Sequence, residues 1–385
     1  MRICFLTSTY PRRVGDSVPG FVAELAEHLV RAGGCEVRVV APGDADAPAD
    51  DRMNGVRIRR FQYAWPAGRQ CLSYGAGIID NVRANPAARL QIPAWAAAMA
   101  RTAAEEGRRC DLIHAHWIEP GFIAGLVGRR IGRPRVITIH SLRPGSVSRP
   151  VFRAALGAAG RVLFNSRYTL GVARQAGLRC RAEVVHQGCD PDRFEGRGER
   201  AAWRRRLGIE PDAPCILALG RMIELKGFHV LLDAWPAVLE RRPEARLVLA
   251  GDGPQRARLA ETADRLGVGG SVRLPGQVAA SDVPGLLSAG DVFCNPGVVD
   301  RHGRCEALGI TSIEAMAAGL PCVSSEVGGL TESVVHGRTG LLTAPGDAGE
   351  LADGVLRLVD DPAGHQFLLA PRQRGVEGAD GLLVR

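Results

Sequence analysis

Apolar residues along the chain recur with two periods. Short runs rich in Val, Ile and Leu lie at Ile3 to Thr7, Val37 to Ala41, Leu112 to His116, Val136 to His140, Val162 to Asn165 and Val184 to His186. Between several of them the spacing changes to that of a helix, as in Phe21, Val22, Leu25, Ala26, Leu29 and Val30. Strand, helix, strand repeated is the pattern of a parallel sheet covered on both faces.

From Asp190 to Arg206 the rhythm breaks. The chain there is polar, carries Pro191, Gly196 and Gly198, and runs through Arg204 to Arg206, which reads as a linker into a new unit. Beyond it the rhythm restarts with Ile216 to Gly220, Arg246 to Gly251, Val272 to Pro275, Asp291 to Asn295 and Cys322 to Ser325, each followed by a helical stretch. The prediction is an α/β chain of two Rossmann-like, doubly wound domains, 1–189 and 190–385. In open parallel sheets ligands bind beyond the carboxyl ends of the strands, so two such domains are expected to face a cleft lined by post-strand loops.

Composition narrows the class. With 385 residues, 46% hydrophobic and 23% charged, the chain has room for two or three domains with their own cores. No stretch approaches the ~20 apolar residues of a spanning helix, and the apolar run after Met1 and Arg2 is too short for a signal peptide, so a cytoplasmic protein is expected. The ten cysteines are dispersed without a C-x-x-C pair, which suggests neither a zinc site nor a disulfide framework. A net charge of +8 invites a nucleic-acid reading, but the arginines are scattered and only 5% of residues are aromatic. Phosphorylated small molecules or an anionic membrane face suit the charge equally well.

One loop concentrates cationic chemistry. Gly220-Arg221-Met222-Ile223-Glu224-Leu225-Lys226-Gly227 leaves a strand and leads into a helix starting near Phe228, and Lys226 is the one lysine among the 49 basic residues. A guanidinium, an ammonium and the positive end of a helix together suit a diphosphate, though two solvated cations beside a turn are the plainer alternative. The G-x-x-x-x-G-K-[ST] order of a phosphate-binding P-loop is absent.

A second segment pairs Glu306 with Glu314. Gly309 suggests a loop carrying Glu306 and a helix opening near Thr311, so that backbone N–H groups from Ala307, Leu308, Gly309, Ile310 and Thr311 are available to an anion. Carboxylates set apart in this way can accept hydrogen bonds from two polyols, a sugar and a ribose. For Glu314 a capping box with Thr311 is the competing reading. Gly251-Asp252-Gly253-Pro254 only superficially resembles a dinucleotide turn, since Arg256 stands at the third glycine position; it is read as shaping the wall of a nucleotide pocket.

In the first domain His114 and His116 alternate on one strand and share a face, while His140 ends the next strand, where it is placed to contact a reacting ligand. With no carboxylate in a ligand pattern nearby, these histidines are read as lining a cleft rather than holding a metal, and packing remains open for His114. The loop Pro11 to Gly20 carries Gly15 and Gly20 ahead of an amphipathic helix, a candidate acceptor or phosphate loop together with His116.

As a set these motifs resemble the retaining, nucleotide-sugar-dependent glycosyltransferases of family 4, the glycosyl transferases group 1, which have the GT-B fold and include sucrose-phosphate and trehalose-forming relatives. The matching residues are Gly220-Arg221 with Lys226-Gly227, Leu249 to Pro254, the E-x7-E pair Glu306 and Glu314, and Val327-Gly328-Gly329 with Glu332, Gly337 and Gly340. The resemblance runs from Phe5 to about Pro362. It implies a hexosyltransferase that moves a sugar from a nucleoside diphosphate sugar to a hydroxyl of a glycan, lipid or small molecule, with retained configuration and without cofactor or metal. In it the residues matching Arg221 and Lys226 neutralise the leaving diphosphate, that matching Glu314 binds ribose, and that matching Glu306 contacts donor-sugar hydroxyls. His140-Ser141-Leu142-Arg143 stands where relatives often carry His-Gly-x-Asp, and the Gly- and Arg-rich tail from Gly364 stands where they carry a crossing helix. Those departures keep a nucleotide-sugar-binding partner protein in play, as well as a related epimerase or phosphorylase. Arg12, Arg13, Arg129, Arg130, Arg133 and Arg135 are the candidates for touching an anionic membrane that bears a lipid acceptor.

Overall fold

The structure, a computed structural model, describes residues 1–13, 16, 18, 20–75, 77–142, 156–157, 159–177, 181–194 and 199–361. Gly15, Arg143 and the tail from Gly364 lie outside the described residues. Contacts divide the chain into two compact units, Met1–Asn165 with Thr169–Val185, and Ser166–Tyr168 with His186–Arg385.

The first unit holds β1 (Arg2–Leu6), β2 (Glu36–Pro42), β3 (Asp50–Met53), β4 (Val56–Phe61), β5 (Leu112–His116), β6 (Arg135–Ile139), β7 (Arg161–Phe164) and β8 (Ala182–Val184). They form one sheet in the order β3-β4-β2-β1-β5-β6-β7-β8, parallel except where β3 meets β4. Side chains of β1 alternate between two cores: Ile3 and Phe5 join Val37 and Val39, while Cys4 and Leu6 join Ile113 and Ile137. Burial on both faces is what makes the run read as continuously apolar. The antiparallel hairpin β3–β4 departs from the expected pattern. Its turn is Asn54-Gly55, both at positive φ (48° and 86°), the mirror-image turn that matches strand twist.

The second unit holds β9 (Cys215–Leu219), β10 (Arg246–Ala250), β11 (Val272–Gly276), β12 (Val292–Asn295), β13 (Cys322–Ser325) and β14 (Gly340–Thr343), all parallel in the order β11-β10-β9-β12-β13-β14. Ile216 and Ala218 of β9 face the helix Phe228–Arg241 through Phe228, Leu231 and Trp235. Cys215 and Leu217 face the opposite layer, with Trp203, Leu207 and Leu286. In each sheet the order reverses once, between β1 and β5 and between β9 and β12. Such a switch point opens a crevice at the carboxyl ends of the two strands.

The expectation of a linker from Asp190 to Arg206 is corrected. A 3-10 turn occupies Pro191–Phe194 and a helix Arg200–Leu207, and both belong to the second unit. Helix formers Ala201, Ala202 and Leu207 drive it, and Trp203 and Leu207 are buried. Arg204, read as part of the linker's charge run, is 3% exposed: its guanidinium donates to the carbonyls of Ala289, Glu210, Pro211 and Ala213 and to the Asp291 carboxylate. Among the described residues no helix is long and apolar enough to cross a membrane.

Candidate active site

The cationic loop of the second unit leaves β9 at its switch point, and its course is set by backbone contacts with the loop after β10. Gly220 N–H donates to the Ala250 carbonyl at 3.0 Å, Met222 N–H to that of Asp252 at 2.8 Å, and Gln255 N–H to that of Met222 at 3.0 Å. A Cβ on Gly251 would lie 1.9 Å from the Gly220 oxygen, and one on Gly253 2.6 Å from that of Met222. The two glycines of Gly251-Asp252-Gly253 therefore admit the backbone of the cationic loop itself. Buried Met222 anchors that loop from below.

A 3-10 turn, Glu224–Lys226, brings Lys226 back over Gly220, whose missing side chain leaves room for the lysine stem: a Cβ there would sit 3.1 Å from Cε. Gly227, at φ 65°, then opens the helix Phe228–Arg241. A Cβ on it would lie 1.7 Å from the Pro296 carbonyl, and Val298 N–H donates to the Leu225 carbonyl at 3.0 Å. The loop after β9 is thus seated on the segment after β12, its neighbour in the sheet. Arg221 is exposed on this loop.

The segment after β12 is shaped by Asp300, which the sequence reading missed. Its buried carboxylate accepts from the N–H groups of His302 and Arg304, both at 2.9 Å, and from Arg304 Nε at 2.6 Å. Burial pushes its pKa up, but the Arg304 and backbone hydrogen bonds outweigh that and hold it below the usual carboxylate range. The i,i+4 pairing of Asp300 with Arg304 across Gly303 was the available signal. Two residues past Arg304 stands Glu306, whose Oε1 is 2.5 Å from Lys226 Nζ, with the two side chains 12% and 15% exposed. Lys226 and Glu306 therefore meet, 80 residues apart in sequence.

Glycines back the carboxylate segment too. Gly329 N–H donates to the Glu306 carbonyl at 2.9 Å, and a Cβ on Gly329 would lie 1.9 Å from the Ala307 oxygen. Gly309, at φ 79°, caps a helix that runs Ile310–Ala317. No acceptor among the described residues takes the backbone N–H of Ala307, Leu308, Gly309, Ile310 or Thr311. The site thus joins an ammonium, a carboxylate and a run of unbonded donors at a helix N-terminus, a combination that receives anions. The capping-box reading of Glu314 fails on geometry: Gly309 is the cap and makes no side-chain bond, Thr311 is second in the helix and half-buried Glu314 fifth. Glu332, by contrast, is engaged structurally, accepting from the N–H groups of Arg167 and Tyr168 and from His186 Nε2 at 2.8 Å.

In the first unit the three histidines form a column. His114 and His116 stack with ring centroids 4.5 Å apart, His116 and His140 at 5.2 Å, and His116 Nδ1 is 2.9 Å from His140 Nε2. His114 Nε2 bonds Thr138 Oγ1 at 2.7 Å. Burial pulls the His114 pKa down to about 4 and holds that of His116 well below the usual histidine range, with His114 and His140 adding to the latter. The reading of His116 as a lining residue is corrected: Phe5 covers its ring on one side and His140 on another, and it is fully buried behind His140. Half-buried His140 is flanked by Phe21 and Trp117. Trp117, at φ 70° and ψ 173°, occupies a region almost confined to glycine, a strain of roughly 1–3 kcal/mol that clusters at functional sites. Nothing in the sequence announced it. Gly20 caps the helix Phe21–Arg31 at φ −79°, a conformation open to any residue. Arg12 is held by Asp16 at 2.8 Å and also pairs with Asp44.

Comparison with known proteins joins these observations. Residues 199–374 match the family described as Glycosyl transferases group 1, and residues 20–193 match Glycosyltransferase Family 4. An uncharacterized glycosyltransferase of Methanocaldococcus jannaschii is 28% identical over 98% of this chain and 93% of its own. A D-inositol 3-phosphate glycosyltransferase of Catenulispora acidiphila is 33% identical over 71% of this chain and 68% of its own. In fold the chain is similar to Anabaena HepE, solved in complex with UDP-glucose, with a TM-score of 0.72 and 22% identity over 96% of this chain and 92% of that one. The chain belongs to the group 1, family 4 glycosyltransferases, and is a hexosyltransferase-type enzyme built from two Rossmann-like domains of the GT-B class.

Proposed function

We propose that the chain transfers a hexose from a nucleoside diphosphate sugar to a hydroxyl acceptor, with retained anomeric configuration and without a metal ion. The observation that carries this reading is the meeting of Lys226 and Glu306 beside the unbonded N–H groups of residues 307–311 at the switch point. An ammonium has three donors, so the bond to Glu306 leaves two for a diphosphate. As the bond from the anomeric carbon to the diphosphate oxygen breaks and that to the acceptor oxygen forms, negative charge grows on the phosphate and the acceptor's proton leaves with it. Lys226, Arg221 and the helix N-terminus supply fixed positive charge there. Glu306 accepts from donor-sugar hydroxyls and Glu314 from the ribose, while Gly220, Gly251 and Gly253 let the cationic loop and the Lys226 stem pack closely enough to form the nucleotide's wall. His140, which directly follows β6, is the catalytic candidate of the first unit.

The UDP-glucose in the HepE complex and the D-inositol 3-phosphate in the name of the Catenulispora relative make UDP-glucose and a phosphorylated polyol the first pair to try. The test is incubation with UDP-, GDP- and ADP-sugars in EDTA, following nucleotide release and the anomeric configuration of the product by NMR. Release with a retained product is expected. Binding without release, or activity lost in EDTA and restored by a divalent ion, overturns the reading.

A peripheral membrane contact belongs to the same proposal, on a different surface from the arginines first considered. Arg12 is engaged by Asp16 and Asp44, and Arg133 donates to the Arg108 carbonyl. The segment 65–90 instead exposes Arg69, Arg83 and Arg89, whereas Arg57, Arg59, Arg60 and Arg101 on either side of it pair with Glu36, Asp50, Asp51 and Glu105. In that segment Trp65 and Leu90 are 82% and 83% exposed. Gln91 ties their two elements together, accepting from Cys71 N–H and donating to the Arg69 carbonyl. Exposed Trp and Leu among arginines suit an anionic lipid surface.

A further inference from the structure

The end of β12 and the two residues after it touch each part of the donor site. A Cβ on Gly227, where the helix after Lys226 opens, would lie 1.7 Å from the Pro296 carbonyl oxygen, and one on Gly297 would lie 3.6 Å from Glu306 Cγ. Asn295 reaches the third part, the start of the helix Ile310–Ala317. Its Nδ2 donates to Ser312 Oγ at 3.0 Å, and a Cβ on Gly309 would lie 3.3 Å from that nitrogen. Ser312 N–H in turn donates to the Gly309 carbonyl at 2.9 Å, closing the first turn of the helix. Asn295 is 3% exposed and Ser312 fully buried, so water does not compete for the bond. A carboxamide is a costly choice there. Two residues back on the same face of the strand, Phe293 packs among apolar side chains, and a buried amide is tolerated only where it is bonded.

A diphosphate held at once by an ammonium and by backbone N–H groups needs the two at one separation, because hydrogen bonds weaken steeply as donor and acceptor leave line. Pro296 seats the lysine loop, and Asn295, its neighbour in the chain, seats the helix. The turn before that helix has no side-chain bond of its own: Gly309 is its cap, at φ 79°. We propose that Asn295 is a positioning residue for the donor's diphosphate, holding through Ser312 the N–H groups of residues 307–311 in fixed relation to Lys226 and Glu306. This role rests on the diphosphate binding at that helix N-terminus, as proposed above.

The test is titration of the full chain, followed by NMR, with the nucleoside diphosphate that the donor panel releases (UDP, GDP or ADP) and with its free nucleoside. Asn295→Leu keeps much of the side chain's volume but deletes the amide, and it is expected to weaken diphosphate binding at least about 10-fold while the nucleoside binds as before. It also leaves the Ser312 hydroxyl buried without this donor, which lowers stability. Adding Ser312→Ala removes the stranded group, and exchange of both partners for apolar ones is close to neutral for stability. The double variant is therefore expected to unfold in denaturant near the parent's midpoint and still to bind the diphosphate weakly. Diphosphate affinity like the parent's in Asn295→Leu, affinity regained with stability in the double variant, or an equal loss for diphosphate and nucleoside each overturns the positioning role. Lys226→Ala checks the placement beneath it. If that variant binds the diphosphate like the parent, the proposed site fails; if it binds weakly while Asn295→Leu does not, the site stands and the role of Asn295 falls.

Discussion

Lys226 illustrates how one side chain can join two loops that the sequence keeps far apart. Its stem lies over Gly220, its ammonium holds Glu306 at 2.5 Å, and the helix it precedes opens at Gly227. Lys226→Ala and Arg221→Ala are each expected to lower turnover by at least ~100-fold, as removal of charge stabilisation at a leaving group does. Steady-state rates with the donor found by the panel check this; wild-type rates in either variant mean that the diphosphate binds elsewhere. The motif residues were legible in the sequence because their types and spacing carry chemistry. The Lys226–Glu306 contact was not, since it depends on which strands are neighbours. Asp300 and Trp117 were missed for a related reason: one is a carboxylate used internally, the other is unusual only in its backbone angles. The histidines make a second prediction. An unfolded histidine titrates near 6.5, whereas His114 in the fold does so at about 4, so the unfolded chain binds more protons in between and stability falls as pH falls below 6.5. From pH 7 to pH 5 the loss reaches about 2 kcal/mol for His114. Hydrogen exchange of the β5 amides, corrected for intrinsic rates, should show weaker protection at pH 5; equal protection would mean that the imidazole is charged in the fold.

At the scale of elements, glycines decide where loops approach one another. Gly227, Gly251 and Gly329 each stand where a Cβ would fall within 2 Å of a backbone carbonyl oxygen, on Pro296, Gly220 and Ala307. Backbone cannot yield as a flexible side chain does, so Gly251→Ala is expected to destabilise the second unit by roughly 2–4 kcal/mol and to abolish nucleotide binding. Gly34→Ala, with nothing within 4 Å, should leave the first unit within about 0.5 kcal/mol of wild type. Chemical denaturation compares the two, and equal stability of both variants with the parent would contradict the close approach. The strands were legible because both faces are buried, giving apolar runs that need no alternation, as in Cys215–Leu219. The hairpin β3–β4 was missed although Val56, Arg57, Ile58 and Arg59 alternate as a strand does and Asn54-Gly55 was a turn signal in plain view; Arg60 breaks the alternation after four residues. The helix Pro86–Gly107 was hidden by its alanines and by Pro93, which blur the helical stripe. Arg204 to Arg206 misled in the opposite sense: a charge run reads as linker until the carbonyls around Arg204 are known.

At the scale of the whole molecule, the chain carries a net charge of +8, and Arg69, Arg83 and Arg89 are exposed in the segment that also exposes Trp65 and Leu90. Co-sedimentation is expected with vesicles containing phosphatidylglycerol and not with phosphatidylcholine alone, weakening as salt rises. Trp65→Ser with Leu90→Gln should release the chain from the anionic vesicles, and undiminished binding by that variant would place the contact elsewhere. The central claim is that the switch point of the second sheet holds the donor's diphosphate, and a diffraction map of the chain with bound UDP or GDP tests it most directly. The result predicted is a diphosphate within hydrogen-bond distance of Lys226 Nζ and the Arg221 guanidinium, over the N–H groups of residues 307–311, with the ribose hydroxyls on Glu314. Density for the diphosphate away from Lys226, or a ribose turned from Glu314, would contradict it.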